Sequence, residues 1–425
     1  MEIPDYRQRI ADKLLSENLK AFGAVCIEGP MWCGKTWTAK RQAASICPLA
    51  DASDNFAIMS RVALDIDYAF KGEEPRLIDE WQVFPQIWDA TRSHVDHERK
   101  HGRFILTGSA TPVQKGILHS GAGRIGSMRM RPMSLWESGV SEGLISLLDA
   151  INGKDIGITD VKRPCLERII ELVLRGGWPA TIDDDLRIAV KTPHSYIQRL
   201  LERDIPELDD IQRDRHKMEM LLMSLARNES TAATLTTLKR DISPSGENLP
   251  ADRTINAYLN ALSRLFVIEN LRPFSPSMRS TARIKQAEKR HFCDPSIAAA
   301  LLKANPTKLA RDLHTLGFLF EGLAARDIRC YADAFGAEVY HYQDYRNREI
   351  DLILDMPNGQ WAAIEVKLGV NEEEAAASNL HTVCDAIVDA GAEEPVAKIV
   401  IVGIASAAYR RKDGVYVLPI TALRP

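Results

Sequence analysis

Eight residues constrain the fold of this chain more than any others: Gly29-Pro-Met-Trp-Cys-Gly34-Lys35-Thr36 matches G-x-x-x-x-G-K-[S/T] without a mismatch. The apolar run 24–28 precedes them, and residues 36–46 follow without Gly or Pro, so the order strand, loop, helix is expected. Glycines let backbone N–H groups converge on phosphate oxygens, and a helix start adds the positive end of its dipole. The pattern therefore predicts a nucleotide-phosphate site on a parallel α/β sheet.

The residue types in this loop suggest individual roles. Lys35 is expected to reach the β- and γ-phosphates of ATP, and the Thr36 hydroxyl to ligate Mg²⁺. An accidental Gly-rich turn is the alternative, and the strand and helix patterns on either side weigh against it. The other predicted nucleotide-binding residues of this segment are Gly29, Pro30, Cys33, Gly34 and Trp37.

A second apolar run ends in two acids. Residues 76–80 read Arg-Leu-Ile-Asp-Glu, and Asp79 follows Lys35 by 44 residues. Asp79 is predicted to complete the Mg²⁺ shell, and Glu80 to orient and activate the attacking water. Such a strand end is often only a surface feature, but its distance from the loop and the helix-like segment 86–99 behind it favour the catalytic interpretation.

These motifs together resemble bacterial and archaeal AAA-like P-loop ATPases that carry a C-terminal domain of unknown function with a nuclease-like fold. The resemblance implies that the strand at 103–106 lies between the two motif strands, and that Thr107 or Ser109 at its end senses the γ-phosphate. It also implies that Arg124 contacts the γ-phosphate in cis or from a neighbouring subunit; a structural surface arginine is an equal alternative. The shared pieces are the loop and residues 77–82, 105–109, 123–124 and 131–137.

The middle of the chain has the pattern of a winged helix. The order helix, turn, helix, strand is typical of that module, although winged helices also serve as protein contacts. Between residues 226 and 290 there are 11 Lys/Arg and 6 Asp/Glu, whereas the whole chain has a net charge of −4. This local basic excess favours a nucleic-acid face, and a protein-contact or packing module is an equal alternative. The predicted elements are helices from 235 and at 253–265, a turn at 243–250 and a strand at 266–273; the predicted contact residues are Arg253, Thr254, Asn256 and Asn260.

A second constellation lies near the C-terminus. Asp351, followed fourteen residues later by Glu365-x-Lys367, resembles the PD-(D/E)XK nuclease signature. Alternate side chains share one face of a strand, so Glu365 and Lys367 point the same way, and a hairpin can bring Asp351 beside them. Two carboxylates form a hard oxygen site for Mg²⁺ or Mn²⁺, and Lys367 would position the water or phosphate. The resemblance adds Glu321 as an accessory carboxylate.

The expected fold is therefore an α/β multidomain chain. Its predicted parts are an AAA-like P-loop ATPase domain (1–140), a helical lid or connector (141–225), a winged helix-turn-helix (226–290) and a PD-(D/E)XK nuclease-like α/β domain (291–425). The composition, 45% hydrophobic and 26% charged, excludes wholesale disorder. Seven cysteines without a C-x-x-C pair, no signal-peptide layout and no membrane-length apolar stretch lead us to expect a cytoplasmic protein.

Two functions remain open at this point. The first is an ATP-hydrolysing protein, using Mg²⁺, whose C-terminal parts bind DNA or RNA, with DNA favoured, and either bind it alone or also cleave it with a metal. The second is a nucleotide-switched regulatory or protein-binding ATPase with a catalytically silent nuclease-like domain. Assembly into a homo-oligomer is compatible with both.

Overall fold

The structure is a computed structural model that describes residues 6–51, 56–110, 119–209, 211–243, 250–275 and 287–425. These residues fall into two compact units. The first is made of the segments Met1–Pro132, Glu202–Gln212 and Asn260–Val267, and the second of Met133–Leu201, Arg213–Leu259 and Ile268–Pro425. The four predicted domain ranges remain a prediction.

The first unit contains a five-stranded parallel sheet in the order β2-β3-β4-β1-β5. The strand expected between the two motif strands, β4, does lie between β1 and β3, which confirms that prediction. The elements are β1 (Ala24–Glu28), β2 (Ser45–Pro48), β3 (Arg76–Asp79), β4 (Phe104–Gly108) and β5 (Ile125–Arg129), with helices α1 (Ile10–Ala21), α2 (Lys35–Gln42), α3 (Ala57–Leu64) and α4 (Ile87–Glu98).

Apolar residues cover both faces of this sheet. In β1, Ala24 and Cys26 pack into one buried cluster, while Val25 and Ile27 pack into another. Successive strand residues point to opposite faces, so an unbroken apolar run is what a parallel strand buried on both sides requires. The same packing brings the carboxyl ends of β1, β3 and β4 together at one edge.

The remaining helices follow residue 140. No helix among the described residues is long and apolar enough to cross a membrane. The helices are α5 (Leu147–Ile151), α6 (Leu166–Arg175), α7 (Leu186–Ala189), α8 (Lys191–Arg199), α9 (Ile205–Glu207), α10 (Arg215–Arg227), α11 (Leu235–Ile242), α12 (Asp252–Arg264), α13 (Pro295–Leu301), α14 (Pro306–Arg311), α15 (Leu313–Phe335) and α16 (Glu373–Asp389).

The second unit is built on a seven-stranded mixed sheet in the order β7-β12-β13-β11-β10-β9-β8. Strands β9 and β10 form an antiparallel hairpin, and β10 and β11 run parallel. The strands are β6 (Ile145–Ser146), β7 (Thr159–Asp160), β8 (Glu338–Gln343), β9 (Glu349–Asp355), β10 (Trp361–Gly369), β11 (Ala397–Ile404), β12 (Ala407–Arg410), β13 (Tyr416–Pro419) and β14 (Leu423–Arg424), of which β14 pairs separately with β6.

The predicted strand at 266–273 is not a continuous strand. Instead, Ile268, Leu271 and Pro273 each form an isolated bridge. Phe266 has a left-handed backbone, with φ of 55°, and Pro273 has no N–H to donate, so both ends interrupt regular pairing. The two predicted helices are present as α11 and α12, whereas most of the predicted turn, 244–249, lies outside the described residues. The winged helix as a whole remains a prediction.

Candidate functional site

The glycines of the loop occupy positions that other residues would strain. Gly34, at the start of α2, has a left-handed φ of 103°. At Gly29, an added Cβ would lie 2.1 Å from the Met130 carbonyl oxygen, a backbone atom that cannot swing away. Both glycines are therefore needed for the path from β1 into α2 that the sequence predicts.

Lys35 is buried and folds back onto its own loop. Its ammonium donates to the carbonyl oxygens of Gly29 at 2.9 Å and Pro30 at 2.8 Å. Both acceptors are neutral, and a charged phosphate oxygen is a stronger acceptor for an ammonium group. Lys35 is thus held beside the place where a phosphate is expected, by partners that a phosphate can replace.

Two hydroxyl groups converge on Asp79 at the carboxyl end of β3. Thr36 Oγ1 donates to Asp79 Oδ1 at 2.8 Å, and the buried Thr107 at the end of β4 donates to the same oxygen. One carboxylate and one hydroxyl side by side are hard oxygen donors of the kind Mg²⁺ accepts when water and phosphate complete its shell. The donor set fits the predicted Mg²⁺, and Thr36, Asp79 and Thr107 lie together as expected.

Glu80 follows directly in a left-handed conformation, with φ of 60°. Its Oε2 accepts hydrogen bonds from Gln82 Nε2 and from Ser109 Oγ at 3.1 Å. Thr107 also accepts from the Glu80 backbone N–H at 3.3 Å. The two residues proposed as alternatives, Thr107 and Ser109, therefore have separate partners, one on each acid. Gln82 belongs to the shared piece 77–82, but the sequence assigned it no role of its own.

Arg9 supports the loop from outside the motif. The buried guanidinium donates to the carbonyl oxygens of Cys33 and Arg131, both at 2.8 Å. The Cys33 side chain is also buried, with its Sγ 3.7 Å from the Met130 carbonyl oxygen. Sequence reasoning placed Cys33 in the nucleotide site but missed Arg9, which lies 24 residues away and belongs to no motif.

The last two residues assigned to the nucleotide loop differ in exposure. Pro30 is buried, whereas Trp37 on the first turn of α2 is 51% exposed. The Lys40 ammonium lies 5.6 Å from the centre of the Trp37 ring. Trp37 therefore presents an open aromatic face next to the loop.

Arg124 lies at the amino end of the strands, opposite the end that carries the nucleotide loop. It immediately precedes β5, its carbonyl accepts from Ala24 at the amino end of β1, and its Nε donates to Asp96 at 2.8 Å. The loop follows the carboxyl end of β1, about 13 Å further along at roughly 3.3 Å per residue. Action in cis on a nucleotide in this loop does not agree with that placement, because the parallel register fixes which end of β5 the arginine occupies.

The four predicted C-terminal residues converge in the second unit. Asp351 on β9 lies beside Glu365 and Lys367 on β10, with Lys367 Nζ 2.9 Å from Glu365 Oε2 and 4.0 Å from Asp351 Oδ2. Glu321 on α15 is linked to these side chains by a buried lysine that the sequence analysis did not identify. That residue is Lys289, whose Nζ lies 2.5 Å from Glu321 Oε1 and 2.9 Å from Asp351 Oδ1.

The oxygens of the two predicted metal-binding carboxylates are occupied by nitrogen donors. Asp351 accepts from Lys289 on Oδ1 and from the Val366 backbone N–H on Oδ2 at 2.9 Å. Glu365 accepts from Asn379 on Oε1 at 2.8 Å and from Lys367 on Oε2. Within the described ranges, no cluster of three or more His, Cys, Asp or Glu side chains is arranged to hold a metal ion. The predicted Mg²⁺ or Mn²⁺ does not fit this arrangement.

Burial and charge set the protonation of this group. Burial, reinforced by the charge of Asp351, raises the pKa of Glu321 and that of Glu365 to about 8. Burial would also raise the pKa of Asp351, but the ammonium groups of Lys289 and Lys367 outweigh it and hold that pKa below its usual value. The pKa of Lys289 is raised despite burial, by Asp351 and Glu321, so Lys289 stays charged.

The residues predicted to contact nucleic acid lie on the polar positions of α12. Arg253, Asn256 and Asn260 are exposed, and Thr254 is half-buried. Ile255 between them is buried, as the helical pattern predicts. These polar side chains are therefore accessible on the surface of α12.

Three family models match successive parts of the chain. Residues 21–138 match an AAA domain, residues 166–308 match a domain of unknown function (DUF8612), and residues 316–423 match another domain of unknown function (DUF4143). The first match supports nucleotide binding and, at the level of the family, ATPase activity. The other two assign no activity.

Similar whole proteins add no function. Uncharacterized proteins of Mycobacterium bovis and Mycobacterium tuberculosis are each 23% identical over 365 residues, covering 85% of this chain and 74% of theirs. A Walker-type ATPase of Pyrococcus abyssi matches with a TM-score of 0.42 and 13% identity, covering 70% of this chain and 96% of that one. The ORC2 protein of Aeropyrum pernix, in its ADPNP–ADP complexes, matches with a TM-score of 0.32 and 11% identity, covering 76% and 98%.

Proposed function

We propose that the N-terminal part of the chain, residues 1–140, binds ATP with Mg²⁺ and hydrolyses it. The observation that supports this most directly is the convergence of Thr36 and Thr107 on Asp79, next to a loop in which Lys35 donates to two neutral carbonyl oxygens. A triphosphate would receive backbone N–H groups at the start of α2 and the Lys35 ammonium.

The remaining roles are binding of the metal ion and activation of the attacking water. Thr36 and Asp79 would hold Mg²⁺, which in such sites neutralises charge on the β- and γ-phosphate oxygens. Glu80 would accept a hydrogen bond from the attacking water and align it with the γ-phosphorus. Gln82 and Ser109 orient the Glu80 carboxylate, so they act through Glu80 rather than on the substrate.

Steady-state phosphate release from the full chain tests this proposal. Glu80→Gln should lower kcat by about 10²–10³-fold while leaving ATP binding within a few-fold, because the amide keeps the shape but loses the charge that activates water. Glu73→Gln is a matched control, since Glu73 is exposed. Equal turnover in the wild type and Glu80→Gln would reject this assignment of the base.

We also propose that Arg124 contacts the γ-phosphate of a neighbouring subunit, since its position away from its own loop argues against action in cis; a structural arginine paired with Asp96 is the alternative. A homo-oligomer would then have its site completed by the next copy. Mixing Arg124→Ala with Lys35→Ala tests this, because only action in trans lets one intact site form from two inactive chains. Activity no higher than the sum of the separate variants would reject it.

For the C-terminal part, we propose a PD-(D/E)XK-like fold in residues 291–425 and a nucleic-acid face, for DNA rather than RNA, in residues 226–290. The convergence of Asp351, Glu365 and Lys367 supports the fold, and the basic excess with exposed Arg253 supports the face.

DNA binding measured at several salt concentrations tests the proposed nucleic-acid face, since phosphate contacts release counterions and give a steep salt dependence. Binding to a protein partner alone, with no affinity for DNA, would favour a regulatory ATPase.

A further inference from the structure

Lys289 supplies a positive charge at the centre of the C-terminal carboxylate cluster. Its side chain is 3% exposed, and its ammonium lies between Glu321 on α15 and Asp351 on β9. The lysine comes from neither element: its backbone pairs with that of Leu271, with Lys289 N donating at 3.0 Å and Leu271 N donating back at 2.9 Å. A separate segment of the chain therefore inserts this ammonium among the acids.

The ammonium takes the place that a divalent ion would need. Its distances of 2.5 and 2.9 Å join it to one oxygen from each of the two acids. A magnesium ion bound by the same pair would sit about 2.0–2.1 Å from each oxygen, in the same gap. Two cations in one buried gap would repel each other strongly, because the interior screens charge poorly.

We propose that Lys289 is a built-in cation of this cluster. Its ammonium replaces a divalent ion between Glu321 and Asp351, so the wild-type cluster does not bind Mg²⁺ or Mn²⁺. Without that ammonium, Glu321 Oε1 and Asp351 Oδ1 face the vacated gap and take up a divalent cation there. The inference extends the proposed PD-(D/E)XK-like fold and does not depend on the proposed ATP hydrolysis.

The charges explain why removing one lysine is sufficient. Glu321 and Asp351 then lose the ammonium between them, and the neighbouring Lys367, which is 26% exposed and lies 4.0 Å from Asp351, can move toward solvent. Carboxylates freed from an ammonium are the oxygen ligands that Mg²⁺ and Mn²⁺ prefer. Lys289→Arg is the matched control, because a guanidinium keeps the positive charge.

The test is a Mn²⁺ titration of the full chain without nucleotide, with free Mn²⁺ followed by electron paramagnetic resonance. All proteins carry Asp79→Asn, so that the N-terminal metal ligands do not contribute. Lys289→Ala should bind one more equivalent of Mn²⁺ than the parent, at least about tenfold more tightly than any site the parent has. Adding Asp351→Asn should remove that equivalent, and Lys289→Arg should behave like the parent.

Two results would overturn the proposal. One is a Mn²⁺ site in the parent that Asp351→Asn removes, and the other is a folded Lys289→Ala protein without a new site. If Lys289→Ala does not fold, the comparison of the parent with Asp351→Asn decides alone: equal Mn²⁺ binding supports the built-in cation. ATP hydrolysis, assayed separately on chains with Asp79 intact, shows whether the proposed ATPase function stands or fails independently.

Discussion

Two buried lysines, Lys35 and Lys289, occupy comparable positions in two sites that look equally catalytic in the sequence. Lys35 donates to the neutral carbonyl oxygens of Gly29 and Pro30, whereas Lys289 donates to a carboxylate and pairs with another. A phosphate can compete for the first ammonium because it brings the stronger acceptor. The second is already neutralised by protein groups. Lys35 is therefore available to bind a ligand, whereas Lys289 stabilises the fold.

The largest expected effect is on stability at Lys289. Lys289→Met removes the ammonium that lies between Glu321 and Asp351 and should lower the free energy of unfolding by about 3–5 kcal/mol, the usual cost of breaking a buried ion pair. Lys35→Met is the matched control and should lose less, about 1.5–3 kcal/mol, since its ammonium is bonded to neutral carbonyls rather than paired with a buried carboxylate. Chemical denaturation of both variants measures the difference. Equal losses would contradict the contrast between the two lysines.

The same two substitutions should have the opposite order in ATP hydrolysis. Lys35→Met should lower kcat/KM by about 10²–10³-fold, because it removes a donor aimed at the developing phosphate charge. Folded Lys289→Met should stay within about threefold of the wild type, as its contacts lie among the C-terminal acids. Phosphate-release kinetics at a temperature where both variants are folded measures this. A collapse of activity in Lys289→Met alone would show that the C-terminal cluster supports catalysis.

Raising the pH from 6.5 to 8 should destabilise the second unit. The pKa of Glu321 and of Glu365 is raised to about 8 in the fold, above the usual value for glutamate, so the folded state holds protons that the unfolded chain has released. The free energy of unfolding is therefore higher at low pH and falls as the pH rises through 8. Each glutamate of this kind contributes a loss of about 1–2 kcal/mol between pH 6.5 and 8. The pKa of His341 is lowered from 6.5 to about 4, so its opposing contribution falls mainly between pH 4 and 6.5, below most of this window.

Denaturation curves at pH 6.5 and 8.0 measure this loss, and Glu321→Gln identifies its source. The amide does not titrate, so the variant should lose less stability over the interval than the wild type. Parallel losses in both proteins would assign the pH dependence to other groups.

The smallest expected effect is on DNA binding. Arg253→Ala should weaken binding by roughly 3–10-fold and lower the salt slope by about 1, as expected for one phosphate contact. Lys412→Ala, an exposed lysine outside residues 226–290, is the control and should change neither. Fluorescence anisotropy with labelled duplex DNA over a salt series measures both quantities. An unchanged slope in Arg253→Ala would remove α12 from the proposed interface.

Spacing in the sequence is sufficient to predict groups that the backbone itself brings together. The loop glycines and Lys35 lie within eight residues, and Glu365 and Lys367 share a face because strands have a period of two. Asp351 comes beside them because β9 and β10 form a hairpin. In each case the distance in sequence is short or the connection is regular.

Contacts between distant segments were not predictable in this way. Lys289 lies 62 residues before Asp351, and its approach depends on a bridge to Leu271 in a segment expected to be a regular strand. Asn379, which binds Glu365 from α16, reads in the sequence as an ordinary helical polar residue. The motif therefore predicts which acids meet, whereas the nitrogen donors around them, which decide whether a metal fits, come from tertiary packing.

Arg9 has a thermodynamic consequence through its place at the start of α1. Its guanidinium ties the Cys33 carbonyl of the nucleotide loop to that of Arg131, so the order of the loop and of the first turn of α1 depend on each other. A ligand that binds only the ordered loop stabilises everything linked to that order. Amide hydrogens that are bonded within α1 should therefore exchange more slowly when nucleotide is bound, although that helix belongs to no nucleotide motif.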